Sequence, residues 1–200
     1  MFTGIIEATG FIESIEAKGG DARYVFNTGK LALGDVALGD SIACNGVCLT
    51  VIELLPHGFA ADVSVETIDV TCMKNYQAKH PVNFEKAMLP TTRFGGHMVS
   101  GHVDAIGEVV SIEEAARSIQ YKIRAPKEVL KYIAIKGSIT VDGTSLTVND
   151  LEKDQFSLNL VPHTLQETIA DSYQVGTQVN LEIDLIARYL ERLMNADKAE

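Results

Sequence analysis

Apolar positions along the chain fall into short runs separated by glycines, polar pairs and Asn-Gly or Asp-Gly steps, a pattern of strands rather than long helices. Residues 4–14 carry Ile5, Ile6, Phe11 and Ile12, interrupted at Gly10, as expected of a barrel strand that bends or bulges. A polar turn at 18–21 leads into Arg23-Tyr-Val-Phe26 and predicts a hairpin. Residues 30–36 predict a short helix or an irregular link, kept short by Gly34 and Gly39. Residues 40–51 then read as strand, tight Asn45-Gly46 turn, strand, with the second strand running on to Leu54 and turning back at Pro56-His-Gly58 into 59–65. Residues 66–76 predict a short helix or crossover before a last strand at 82–87.

The same order then begins again. Residues 41–51 recur at 138–148, a displacement of 97, with six of eleven positions identical. The offset holds without a gap: Gly4 falls on Gly101, Gly10 on Gly107, Phe59 on Phe156, Thr67 on Thr164 and Glu85 on Glu182. The chain is therefore two copies of one unit, each near the lower end of domain size. Six or so short strands with little helix suit a closed antiparallel barrel, since so small a unit has few residues with which to protect strand edges. Residues 91–97 link the copies, and Gly95-Gly96 predicts backbone freedom there. After Asp184, Ile186, Tyr189, Leu190, Leu193 and Met194 recur at helical spacing, predicting a helix over 184–198 that covers a barrel end or pairs with copies of itself.

Composition narrows the function classes. A net charge of −10 without a basic stripe disfavours nucleic acid. No apolar run is long enough to cross a bilayer, and the first residues carry no basic or cleavable apolar segment, so a cytoplasmic protein is expected. Cys44, Cys48 and Cys72 are odd in number and lack CxxC spacing, which predicts reduced thiols and no zinc site. His97 and His102 are poorly spaced for a metal, and no phosphate loop, HExxH or GxSxG is present.

Chemistry is expected where the copies differ. His102 replaces Ile5, Ser145 replaces Cys48, His163 replaces Glu66, and Thr140-Val-Asp142 replaces Ala43-Cys-Asn45. Cys48 reads as either a small buried hydrophobe or a functional thiol, and His102 as either a structural residue or a general acid/base. The residues alone point to two small barrels presenting related polar pockets for similar ligands.

The stretches Met1-Phe-Thr-Gly-Ile-Ile-Glu, Asn45-Gly-Val-Cys-Leu-Thr, Phe94-Gly-Gly-His-Met-Val-Ser-Gly-His-Val-Asp, Lys136-Gly-Ser-Ile-Thr-Val-Asp-Gly-Thr-Ser-Leu-Thr-Val and Val179-Asn-Leu-Glu-Ile together resemble the riboflavin synthase family, alpha-chain type, over the whole chain. The resemblance implies an all-β fold of two similar six-stranded antiparallel Greek-key barrels plus a C-terminal α-helix. It assigns a lumazine-binding barrel to 1–94, a second to 98–184 and a trimerisation helix to 185–200. It also implies dismutation of two 6,7-dimethyl-8-ribityllumazine molecules by four-carbon transfer, with neither metal nor cofactor, in a homotrimer whose sites lie between neighbouring subunits. Association with a lumazine synthase capsid is a further possibility that the sequence leaves open.

The catalytic set implied is Ser41, Cys48 and His102 for proton transfer and nucleophile activation, Ser145 and Thr147 for orientation, and Lys136 for anion stabilisation. A first pocket would comprise Gly4, Ile5, Ile6, Cys48, Leu49, Thr50, Asp62, Val63, Ser64, Val65, Glu66 and Thr67, with Phe2 closing over one ring. A second would comprise Gly101, His102, Val103, Lys136, Ser145, Leu146, Thr147, Asn159, Leu160, Val161, Pro162, His163 and Thr164. The family often has proline in both copies where this chain has Val65 and Pro162, which weakens the case for a rigidly held first pocket wall, and residues 75–80 lack the glycine matching Gly176, which suggests a slightly different turn. A non-catalytic lumazine-binding antenna protein shares the fold and duplication but typically lacks that polar set. A structural double barrel is the remaining alternative.

Overall fold

The computed structural model describes residues 1–195. In the second copy β8 (Ala105–Ala115), β9 (Ser118–Arg124), β10 (Ser138–Val141), β11 (Thr144–Glu152), β12 (Gln155–Leu160) and β13 (Gln178–Ile183) close a barrel in the order β10-β11-β12-β9-β8-β13. The first copy uses β1 (Ala8–Lys18), β2 (Asp21–Asn27), β3 (Ser41–Cys44), β4 (Val47–Thr50), β5 (Glu53–Leu55), β6 (Gly58–Val63) and β7 (Pro81–Lys86), ordered β4-β3-β7-β1-β2-β6-β5. The expected pair of six-stranded barrels is thus present, with one difference. The strand matching β11 is split at Val51-Ile52 into β4 and β5, which end the sheet on its two sides. Val51 N bonds Asp40 O (2.8 Å) on one side and Ile52 N bonds Ala60 O (2.9 Å) on the other, so the break is where the strand changes partner. In the second copy a bulge between Val148 and Asp150 makes the same corner without interrupting the strand.

Strand alternation fills each barrel. In β2 Ala22, Tyr24 and Phe26 point inward, and Phe26 packs on Phe59 and Phe84 at ring-centroid distances of 5.1 and 5.8 Å. The second core replaces two of these rings with Ile123 and Leu181 and keeps Phe156. Both predicted hairpin turns are present, with Asn45 and Gly46 at φ 45° and 80° and Asp142 and Gly143 at 43° and 80°, the left-handed pair that such a two-residue turn demands. In the first strand the bulge falls between Ile12 and Ser14 rather than at Gly10. Gly10 instead permits close approach, since a Cβ there would lie 2.1 Å from Asn27 O.

Residues 30–36 are irregular, and the crossovers carry α1 (Val65–Val70) and α3 (Pro162–Glu167), each followed by a 3-10 turn. Val65 does not loosen the first crossover. Ser64 accepts from Thr67 N there, whereas α3 has no side-chain cap and starts on Pro162, so a cap in one copy does the work of a proline in the other. The turn before β7 also matches its copy, because Lys79 adopts φ 72° where Gly176 has 93° and both amides bond the first strand of their barrel.

A short helix α2 (Lys127–Leu130) precedes β10, and the C-terminal helix is α4 (Leu185–Met194), capped by Asp184 on Ile186 N. The remainder of the expected helix segment, 196–200, lies outside the described residues. Helix α4 meets its own chain through polar groups: Glu191 bonds Lys131 and Tyr132, and Arg188 bonds Asp104 at 2.7 Å. Ile186, Tyr189, Leu190, Leu193 and Met194 stay exposed, so this apolar stripe does not cover a barrel end of its own chain. No helix among the described residues is long and apolar enough to cross a membrane.

Candidate functional site

The two segments that precede the barrels, 1–7 and 98–104, place the candidate residues. They are not strands, although residues 4–14 read as one: the first strand starts only at Ala8. Gly4 and Gly101 take φ 76° and 81°, and the backbone on either side turns away to meet the other copy. Phe2 and Val99 form an antiparallel bridge across an approximate twofold axis. Ser145 N donates to Gly4 O and Cys48 N to Gly101 O, both at 2.8 Å. Each segment stays anchored to its own barrel by a buried carboxylate. Thr3 N, Thr3 Oγ1 and Gly4 N donate to Glu85 at 2.7, 2.6 and 2.9 Å, and Ser100 N, Ser100 Oγ and Gly101 N donate to Glu182 at 2.6, 2.7 and 3.0 Å. Burial pushes both carboxyls above their usual range while these donors pull them down.

The two half-sites are assembled crosswise. Gly101 lies against Cys48, and Val103 packs on the first barrel's core, while Gly4 lies against Ser145, and Ile6 approaches Gly143. The Gly4 segment therefore belongs with Ser145 and not with Cys48, as the sequence had grouped it, and the Gly101 segment belongs with Cys48. The physical reason is the twofold: each left-handed glycine offers its carbonyl to the strand of the other unit.

Alternation on the strands sorts the remaining residues. Cys48, Thr50 and Asp62 in the first copy, and Ser145, Thr147 and Asn159 in the second, lie on the outer barrel faces. Leu49, Val63 and Leu160 belong to the barrel cores and Leu146 packs against the second, so these four side chains do not face a ligand. Nor can Phe2 close over a ring: it is fully buried among Ala43, Cys48, Ala87 and Val99 and backs the Cys48 wall instead. Ser64, Val65 and Glu66, like Val161, Pro162 and His163, are exposed at the starts of α1 and α3, with Thr67 and Thr164 half-buried. Ser41 and Ile5 border an open cavity of about 620 Å³ that also includes Asp35, Lys86 and Arg93. Asn159, Val161 and Pro162 border a second of about 430 Å³.

His102 is exposed, and its backbone is held on both sides: N–H to Ser100 Oγ (3.3 Å) and carbonyl to Arg188 of α4 (3.4 Å). Lys136, exposed, stands at φ 66° where the first copy has Gly39 at 93°, its amide bonding Val148 O at 2.8 Å. A left-handed lysine costs roughly 1 kcal/mol against glycine, so the sheet corner holds this side chain at an energetic cost. Among the described residues no cluster of His, Cys, Asp or Glu could hold a metal ion.

The Lumazine binding domain family matches the chain twice, over residues 3–87 and 100–184. A riboflavin synthase of Photobacterium phosphoreum is 52% identical over 200 residues, spanning 100% of this chain and 92% of that protein. The Bacillus subtilis (strain 168) riboflavin synthase is 44% identical over 195 residues, with 98% and 90% covered. The chain belongs to the riboflavin synthase family. Among solved structures, LumP complexed with riboflavin aligns with a TM-score of 0.85 at 23% identity, covering 92% of this chain and 99% of that one, which shows the shared fold.

One residue with a place in this site was weighed from sequence only as a metal ligand. His97 is buried, with Nδ1 2.7 Å from Ser145 Oγ and Nε2 3.1 Å from Thr140 Oγ1. Its counterpart at the 97-residue offset would precede Met1, so comparing the copies could not flag it. The Gly95-Gly96 step beside it was read as a source of freedom. Gly96 is instead locked, since a Cβ there would sit 2.1 Å from Thr3 O and 2.8 Å from Ser145 Cβ.

Proposed function

We propose that this chain is a riboflavin synthase, a transferase that moves a four-carbon unit between two 6,7-dimethyl-8-ribityllumazine molecules to give riboflavin and 5-amino-6-(D-ribitylamino)uracil. The observation that carries the reading is full-length membership of the family together with two near-equivalent outer-face frames, in which the Gly101 segment docks on Cys48 and the Gly4 segment on Ser145. Two identical substrates call for two similar frames, and a donor and an acceptor call for frames that differ.

In this reading residues 1–94 and 98–184 each supply a lumazine half-site, and helix α4 serves trimerisation. Ser41, Cys48 and His102 handle proton transfer and nucleophile activation, Thr147 and Ser145 orient substrate, and Lys136 stabilises negative charge spreading over the ring. The exposed stripe on α4 supports a homotrimer, with each active site formed by the first unit of one subunit and the second unit of its neighbour. The setting is the cytoplasm, with lumazine synthase as a candidate partner.

Mixing the purified protein with the lumazine and following conversion to riboflavin tests the proposal. Turnover is expected, and binding without conversion would instead favour the antenna-like reading. In the same assay His102→Gln is expected to slow both turnover and deuterium exchange at the 7-methyl group by roughly 100-fold. Unchanged exchange would remove His102 as the base. Unchanged single-turnover rates in Cys48→Ser would likewise remove the thiol. For assembly, Leu190→Glu is expected to lower the sedimenting mass from trimer to monomer, and a wild-type monomer with full activity at micromolar concentration would overturn the intersubunit site.

A further inference from the structure

Three coupled differences separate the Ser145 half-site from the Cys48 half-site. The first is the residue itself. The second is its cross-strand partner, Thr140 on β10 against Ala43 on β3. The third is His97, which touches both Ser145 and Thr140, whereas Cys48 packs with apolar side chains. The cluster around Cys48 consists of Phe2, Ala43, Val99 and Ala87, all apolar.

We propose that His97 is a positioning residue for Ser145, fixing the serine hydroxyl as a hydrogen-bond acceptor toward the substrate in the second half-site only. This rests on the lumazine reading of that site. An imidazole between two hydroxyls has two neutral arrangements. In the proposed one, Ser145 O–H donates to Nδ1 and Nε2–H donates to Thr140 Oγ1. The serine proton then points into the protein, and its lone pairs are left for an N–H or O–H of the ligand, such as a ribityl hydroxyl or a ring N–H. Burial lowers the pKa of His97, with Asp184 as the charged group acting against that shift, so the ring is neutral at neutral pH and Nδ1 is free to accept. Gly96 keeps the geometry tight by letting the backbone beside His97 press against Thr3 O and Ser145. The Cys48 thiol, with an apolar neighbour in place of Thr140 and no imidazole, has no comparable fixed orientation. The asymmetry between the half-sites is thus one of hydrogen-bond polarity as well as of element.

Nitrogen-15 chemical shifts of the His97 ring in the wild-type protein at neutral pH test the arrangement without a variant. A protonated Nε2 and a hydrogen-bonded, unprotonated Nδ1 are expected, and a proton on Nδ1 overturns the proposal whether or not the protein turns over lumazine. Kinetics supply the second arm. His97→Gln can bond both hydroxyls but presents Ser145 with an amide of either sense, and a roughly tenfold fall in kcat/KM is expected. In a Ser145→Ala background the same change is expected to have no further effect, because His97 acts through that hydroxyl. An undiminished kcat/KM in the single variant, or an equal fall in both backgrounds, overturns the proposal. Lack of turnover by the wild type, with the expected shifts intact, would count against the riboflavin synthase reading instead.

Discussion

A Gly101→Ala protein is expected to lose measurable turnover and several kcal/mol of stability. The position has φ 81°, where a side chain costs about 1–2 kcal/mol, and the new Cβ would lie 2.5 Å from Cys48 Cβ and 2.9 Å from Phe2 Cε2. Neither neighbour can yield cheaply. Cys48 is fixed by its amide bond to Gly101 O, and Phe2 is fully buried against the same strand. Overpacking of this kind typically adds about 1–3 kcal/mol, and relief requires the segment to lift from the first barrel, taking His102 with it. Urea unfolding and lumazine turnover measure both effects, with Gly34→Ala as the comparison, since a Cβ there meets nothing within 4 Å. A Gly101→Ala protein with a wild-type urea midpoint and normal turnover would show that the close docking of the two copies is not what shapes the site.

That docking also marks the limit of what the sequence disclosed. The 97-residue offset exposed the repeat, and with it the hairpins, because Asn45-Gly46 and Asp142-Gly143 are local chemistry: a left-handed pair is written in the residues that tolerate it. Alternation likewise identified strands whose inward residues fill a barrel. The crosswise grouping of Gly4 with Ser145 could not be read, because a repeat aligns each residue with its copy and says nothing about which copy it touches. Phe2 misled for a related reason. An aromatic beside a glycine near a pocket looks available to a ligand, yet at 0% exposure it serves as packing behind Cys48. Leu49 and Val63 were carried into the candidate site by contiguity with Cys48 and Asp62, although the period of two on a strand sends their side chains inward. His97 was considered only as a poor metal ligand, because its importance lies in two hydroxyls, one of them on a strand 43 residues away.

The twofold joint offers a second large effect, this one dependent on pH. Around it Asn83 Nδ2 donates to Asp142 O and Asn180 Nδ2 to Asn45 O, at 2.8 and 2.9 Å, while Asn45 Oδ1 and Asp142 Oδ1 accept from Asn83 N and Asn180 N at 2.7 and 2.8 Å. The symmetry fails at the second polar side-chain atom of Asn45 and Asp142. Asn45 Nδ2 donates to Tyr76 OH and Pro81 O, whereas Asp142 Oδ2 accepts from Tyr173 OH at 2.6 Å. Asp142 is a carboxyl sealed in the joint, and burial pushes its pKa up to about 7 against the pull of the Tyr173 and Asn180 hydrogen bonds.

Because the folded chain holds this proton more tightly than the unfolded chain, the associated stabilisation is complete below about pH 4 and is lost as pH rises through 7. A shift of that size corresponds to a loss on the order of 4 kcal/mol between the two limits. Asp142→Asn is expected to remove the slope. The amide can accept from Asn180 N and donate toward Tyr173 as Asn45 does in the first copy, with no charge to bury. Urea unfolding at pH 5, 6.5 and 8 should therefore show the variant gaining on the wild type as pH rises, with the largest advantage at pH 8. Glu85 and Glu182, whose pKa values are also raised by burial, contribute to both proteins alike and cancel in the difference. Parallel stability curves would mean that Asp142 is ionised in the folded joint throughout, and that the tyrosine and amide donors outweigh its burial.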